Sequence, residues 1–244
     1  MVVDPTMSHL NIILAKGVNS VASLLDILIR NRAAPYTWSS DISKLYNMLF
    51  LRNQALPYSL FLYHNSLDQS TPPEVWIMHR ARYGVTSTSG QAGYSIGLLV
   101  NSFRLEYPMA IEPLDKCRYV DNITPGASTL QDREEQIRQC KELLDKGGFS
   151  LKFVVKSGEP PCEKPSFDGH SMKLLGYKWV LQEDILSPGL GELNFNKKQR
   201  GAKEPNRDPI VTRQDAEALL KDLIVTRRIV VAKVSKFFDP LGFF

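Results

Sequence analysis

Two aspartates, Asp41 in Trp38-Ser39-Ser40-Asp41 and Asp121 in Tyr119-Val120-Asp121-Asn122, close strand-like runs 80 positions apart. Only a fold could bring them together. A carboxylate pair suits the chemistry of phosphoryl transfer. Mg²⁺ is a hard cation that prefers oxygen ligands, and it is usually held by one or two carboxylates together with substrate phosphates. Two such ions, roughly 3.5–4 Å apart, activate an attacking hydroxyl and stabilise the departing group. Aspartates at strand ends more often meet solvent or shape turns, so the pair needs support from its surroundings.

Other chemistries find less in the chain. Cys117, Cys140 and Cys162 are far apart in no metal-ligand spacing. An odd, sparse set points to a reducing interior with buried or idle thiols. His9, His64, His79 and His170 lack the paired spacing of a zinc site. There is no Gly-x-Ser-x-Gly elbow and no phosphate-cradling P-loop. Asp168-Gly169-His170 comes nearest to an aspartic-protease motif but lacks its hydroxyl residue. Lys and Arg number 30 against 26 Asp and Glu, a net charge of +4. That balance permits an anionic partner without demanding one. Lys197-Lys198-Gln199-Arg200 and Arg227-Arg228 are either phosphate contacts or plain solvated surface. The longest apolar run, Ile224 to Val234, is broken by Arg227, Arg228 and Lys233, so no membrane span is expected. The first residues lack the basic, apolar and small-residue order of a signal peptide, which predicts an intracellular, unsecreted protein.

Periodicity supplies the elements that must position the two aspartates. Val21, Leu24, Leu25, Leu28 and Ile29 fall at helical spacing within 18–29. A short aromatic strand over 34–39 ends near Ser40-Asp41, and a turn or short helix follows over 42–50. Runs 57–63 and 75–82 read as strands of one hairpin. The Gly, Ser and Thr crowd from Gly84 to Ser95 predicts a loop that opens a helix at Ile96. A short strand over 118–123 carries Asp121, followed by a Pro125-Gly126 turn. The clearest helix runs over 128–146, capped by Ser128 or Thr129 and ended by Gly147-Gly148. Runs 149–155 and 173–181 alternate as strands. Residues 189–209 read as loop, and 215–225 and 228–238 as helices. This order predicts an α+β domain with a mainly antiparallel sheet.

The same order resembles the fingers and palm of retroelement reverse transcriptases, most closely those of the BEL/Pao group. The phrases that carry the resemblance are Trp38 to Asp41 with Tyr46, Tyr119-Val120-Asp121-Asn122, Gly147-Gly148-Phe149-Ser150-Leu151, Leu174-Leu175-Gly176-Tyr177-Lys178-Trp179 and Phe238-Asp239-Pro240-Leu241-Gly242. Val2-Val3-Asp4 resembles a fingers strand, and 17–30 the helix after it. The resemblance implies an antiparallel sheet packed on helices, cut off before the thumb. It implies domains over 1–185 (fingers and palm), 186–209 (a flexible loop) and 210–244 (the helical start of a thumb or connection). The chain then reads as a piece of a Pol polyprotein whose other regions are its partners.

Site roles follow from the resemblance. Asp41, Asp121 and Asn122 would hold Mg²⁺, with Mn²⁺ as an alternative, Asp41 and Asp121 being the catalytic pair. Tyr46 would be the aromatic gate against a ribose 2′-hydroxyl, or else a core tyrosine after a turn. Tyr83-Gly84 and the small residues to Ser89 would form the loop beside the incoming nucleotide and template, or else simply a flexible helix entry. Lys152 would be the basic residue after Gly-Gly-Phe, or a solvated strand lysine. Leu175-Gly176-Tyr177 and Trp179 would lie in a primer-gripping hairpin, or Trp179 would be core. The partners implied are an RNA or DNA template-primer and a dNTP. Three departures bear on activity: Asn122 replaces an aspartate, Ser89 replaces a proline, and the basic residue before Val2 is missing. An amide keeps a ligating oxygen but loses the charge, which weakens a hard-cation site. The expectation is a weak or dead polymerase, with a nucleic-acid-binding module as the alternative.

Overall fold

A computed structural model describes residues 9–17, 21–64, 72–160 and 170–188. The chain divides into two compact units, Met1–Glu159 and Pro160–Phe244. In the first, the single-turn helix α1 (Leu10–Ile13) precedes α2 (Leu24–Arg32) and the strand β1 (Tyr36–Ile42). Then come the hairpin strands β2 (Leu60–Tyr63) and β3 (Glu74–Ile77), and the helices α3 (Thr88–Ser102) and α4 (Pro108–Lys116). Short strands β4 (Arg118–Tyr119), β5 (Asn122–Ile123) and β6 (Gly126–Ala127) lead into α5 (Leu130–Lys146) and β7 (Leu151–Lys156). The second unit contributes β8 (Ser171–Leu174), β9 (Tyr177–Val180) and β10 (Ile185–Pro188), an antiparallel meander with β9 central.

β1 is the axis of the first unit. It pairs antiparallel with β6 along its first half, with β5 at Ser40 and Asp41, and with β7 on its other edge. A strand bonded on both edges has no free ladder groups, and Thr37 to Ser40 are all buried. Trp38 and Ile42, two positions of one strand face four apart, enter the core with Ile96 of α3, Leu114 of α4 and Cys140, Leu143 and Leu144 of α5. On α5 those three residues follow helical spacing, so one stripe of the helix covers the sheet.

The ends of α5 follow from its sequence. Thr129 Oγ1 accepts a hydrogen bond from the Asp132 amide at 3.0 Å. At the other end the Phe149 and Gly148 amides donate to the Leu144 and Asp145 carbonyls at 2.9 and 3.0 Å. Gly148 there has φ 75°, a Schellman ending that needs glycine. Gly126 serves a different need. A Cβ on it would lie 2.4 Å from Ala34 Cβ, so only glycine lets the end of α2 pass this close to β6.

Several boundaries move from the sequence expectation. The helix expected over 18–29 runs Leu24–Arg32, because the Ser23 side chain caps it at Asp26. The glycine-rich stretch is already helical from Thr88, since Ala92 and Gly93 are buried against neighbours and small residues allow that approach. Pro125-Gly126 is no turn, as Gly126 begins β6. α4 has no counterpart in the sequence expectation; Pro108 opens it at its first turn, and Ala110 and Leu114 are buried in the core. The run 173–181 is a hairpin that turns at Leu175-Gly176, with Leu175 φ 48° and Gly176 φ 95°. β10 continues to Pro188, so the loop expected from 186 does not begin there. Val2-Val3, Cys162, the basic runs near 197–200 and 227–228, and the two helices after 210 lie outside the described residues.

Candidate functional site

The turn between β4 and β5 is only two residues long, Val120 and Asp121, with Tyr119 paired to Asn122 across it. Val120 takes φ 56°, a left-handed backbone in which a β-branched residue is strained. In two-residue hairpins that opening position ordinarily belongs to glycine. The turn is tied back to β1: the Ile42 amide donates to the Asp121 carbonyl at 2.8 Å, and Asn122 stands directly opposite Asp41. Thus the fold brings Asp41, Asp121 and Asn122 to one end of the sheet.

β7 completes the cluster through an irregularity. Ser40 pairs with Val154 and Ile42 with Leu151, so Asp41 faces two residues, Lys152 and Phe153. This is a β-bulge, which bends the strand and re-aims a side chain. Lys152 Nζ forms an ion pair with Asp41 Oδ2. It is therefore not the idle solvated lysine that a strand position suggests. Its ammonium is held above the usual lysine range, first by that hydrogen bond and further by the Asp41 and Asp121 charges.

The Asp121 carboxyl is pushed above the ordinary aspartate range by burial, then by the Asp41 charge beside it, with Lys152 opposing. A raised carboxyl pKa in the fold adds stability at low pH that is lost as pH rises through that value. Asp121→Asn removes the penalty. Without added metal, its melting temperature is expected a few degrees above that of the unaltered chain near pH 7. The gain should vanish below the ordinary aspartate range, about pH 3. Thermal melts at both pH values check this, and equal gains at the two would contradict it.

Around the carboxylates lie aromatic and basic groups. Tyr46, in the 3₁₀ turn Leu45–Met48, is half-buried at the core margin and meets Tyr83 edge-on, with ring centroids 4.8 Å apart. It packs as a core-edge tyrosine. Gly84, at φ 86°, follows Tyr83 in a turn that Asn11 clamps. Asn11 Nδ2 donates to the Gly84 carbonyl and its Oδ1 accepts from the Thr86 amide, both at 2.8 Å. Ser89 belongs to α3, not to that loop. Arg118 is 7% exposed under the hairpin, its pKa lowered by burial while the Asp115, Asp121 and Tyr46 charges resist. Leu175-Gly176-Tyr177 form the β8–β9 turn region of the second unit, where Trp179 is fully buried and donates to Asp184 Oδ1 at 2.7 Å.

Sequence reasoning missed Arg118 and Asn11. The signal for Arg118 was alternation: on a strand whose Tyr119 points outward, its predecessor points in. Asn11 gave no such signal, since its partners lie 73 and 75 residues away.

Among solved structures the chain resembles the foamy viral protease-reverse transcriptase in complex with RNA/DNA hybrid, at a TM-score of 0.52 and 13% identity. The fold is reverse-transcriptase-like. The match covers 74% of this chain and 21% of that one. No family model and no curated protein matches the sequence. In this reverse-transcriptase-like fold, no described helix is long and apolar enough to cross a membrane. Among the described residues no three His, Cys, Asp or Glu side chains gather as a metal cluster. The site offers two carboxylates and an amide. The Asp41 charge disfavours that of Asp121, which a divalent cation would relieve, and Mg²⁺ commonly relies on substrate phosphates for the rest of its shell. The residues therefore suit Mg²⁺, though with one negative charge fewer than an aspartate at 122 would give.

Proposed function

We propose that this chain is a reverse transcriptase region of BEL/Pao type that acts in RNA-directed DNA synthesis, its site weakened by Asn122. The observation that carries the reading is the meeting of Asp41 and Asp121 across the β1–β5 pair, on a reverse-transcriptase-like fold. Asp41 and Asp121 would hold Mg²⁺, with the Asn122 carbonyl as a neutral neighbour. Bound there, the ion would supply charge neutralisation and activation of a primer hydroxyl. Phosphoryl transfer depends almost wholly on positioning and electrostatics, which is why one missing charge matters. Tyr46 and Tyr83 would form an aromatic wall beside the nucleotide sugar, and Gly84 would let the backbone come close to it. Lys152 would fix the Asp41 carboxylate in orientation. The template-primer and dNTP are the proposed partners, together with whatever Pol regions adjoin the chain.

The ion pair between Lys152 and Asp41 favours a second reading, a nucleic-acid-binding module that needs no metal. Lys152 already neutralises one of the two carboxylates. Primer extension on an RNA template, with Mg²⁺ or Mn²⁺, separates the readings. The chain is expected to extend weakly, and Asp41→Ala to reduce extension by about 100-fold or more. Binding of primer-template that persists unchanged in a chelator, with no extension in either version, would favour the binding module.

A further inference from the structure

The hairpin that carries Asp121 contains a contradiction. Val120 occupies a strained left-handed conformation in the very turn that sets the carboxylate. Such strain persists only where the surroundings over-determine the backbone. On one side the Ile42 amide holds the Asp121 carbonyl at 2.8 Å. On the other side is a single buried side chain. Arg118 Nη1 donates to the Val120 carbonyl at 2.6 Å, and its Nε donates to the Leu114 carbonyl at 3.1 Å. Leu114 lies in the last turn of α4, where helix carbonyls lack intrahelical partners and attract cations. Among the described residues no carboxylate forms an ion pair with Arg118. Its hydrogen bonds go to the backbone, one to a helix end and one to the turn.

We propose that Arg118 is a positioning residue: by bridging the end of α4 to the Val120 carbonyl, it holds the turn that presents Asp121 to Asp41. This rests on the reading of Asp121 as a site group. A guanidinium suits the task because its planar fork reaches two carbonyls at once, which a lysine ammonium on a flexible stem does less well. Arg118 touches no reacting atom in this role and acts only through the backbone.

The test is amide hydrogen exchange on the full chain without metal or nucleotide. The reporter is the Ile42 amide, bonded to the Asp121 carbonyl; the control is the Ser157 amide, bonded to the Thr37 carbonyl at 2.9 Å toward the other end of β1. Arg118→Met should speed exchange at Ile42 by about tenfold, the loss expected for a charged hydrogen bond. Ser157 should not change. Arg118→Lys should fall between, and it carries the same comparison where methionine prevents folding. Adding Val120→Gly removes the strain that Arg118 resists, so the double variant should return to within about twofold of the original rate. A merely structural arginine would not be rescued by glycine two residues away. An unmoved Ile42 rate, an equal rise at Ser157, or failure of the glycine rescue each overturns the proposal. Because nothing here reads catalysis, a chain that never extends a primer sinks the polymerase reading and leaves this result standing. Extension with an unmoved Ile42 rate does the reverse.

Discussion

Asn122→Asp is expected to raise primer extension about 100-fold and to make the melting temperature depend on Mg²⁺. Asn122 lies directly opposite Asp41 across the β5–β1 ladder, and side chains so opposed project from the same sheet face. A carboxylate at 122 would thus join the Asp41–Asp121 pair. Without metal the third charge adds repulsion to a site where Asp121 already resists ionisation, so the metal-free variant melts lower than the unaltered chain. With millimolar Mg²⁺ the variant should recover that loss, because an ion that binds only the folded state stabilises it by mass action. Extension should rise in parallel, since one preorganised charge at a phosphoryl-transfer site contributes on the order of 10²-fold. The two readouts keep the outcome interpretable. Unchanged extension together with a melting temperature indifferent to Mg²⁺ would mean that these residues hold no catalytic metal. A metal-dependent melt without extension would locate the defect elsewhere in the chain.

Trp38→Ala is expected to lower stability by about 3–5 kcal/mol. Trp38 is fully buried on the central strand, between β6 and β7. Its indole N–H donates to Gln136 Oε1 on α5 at 3.0 Å, and Gln136 Nε2 donates onward to the Gly126 carbonyl at 3.3 Å. Alanine would leave a cavity and an orphaned buried carbonyl oxygen at Gln136, two costs of different origin. Trp38→Phe separates them. It fills most of the volume but still strands the amide, so about 1–3 kcal/mol is expected. Urea unfolding with an unchanged slope would measure both losses. Equal losses for the two variants would assign the whole effect to the hydrogen bond. Domains of this kind hold only about 5–15 kcal/mol in total, so Trp38→Ala brings the fold near its limit.

What the sequence disclosed depended on how local the deciding force was. α5 was legible to within two residues because Thr129, Gly147 and Gly148 determine its ends through bonds inside the segment. The β2–β3 hairpin was legible because two apolar runs flank a polar, proline-bearing link. The start of α3 was not, since Gly90 and Gly93 argue against helix unless one knows that α3 is packed closely. α4 escaped because Pro108 and Pro113 suggest a loop, whereas the first proline sits where its missing N–H costs nothing. In the site, Asp41 and Asp121 were recognisable by motif and their proximity follows from the ladder. The charge that Lys152 places on Asp41 was hidden, because it depends on a bulge that no periodicity announces. Arg118 and Asn11 act on backbone groups, and a backbone partner leaves no trace in side-chain types.

That bulge also makes the site sensitive to length. From the Gly148 ending of α5 the chain runs three residues to Lys152, and no spare loop lies between them to absorb an insertion or deletion. Opposite Asp41 the ladder already holds one residue more on β7 than on β1. Loss of one residue there would straighten the strand into a regular ladder, and gain of one would turn Lys152 to the other face of the sheet. Side chains in this segment can therefore be exchanged more safely than the count of residues can be altered. An in-frame codon gained between Lys152 and Val154 would do what no single substitution does: it would turn the ammonium away from Asp41 while every residue of the site remained present.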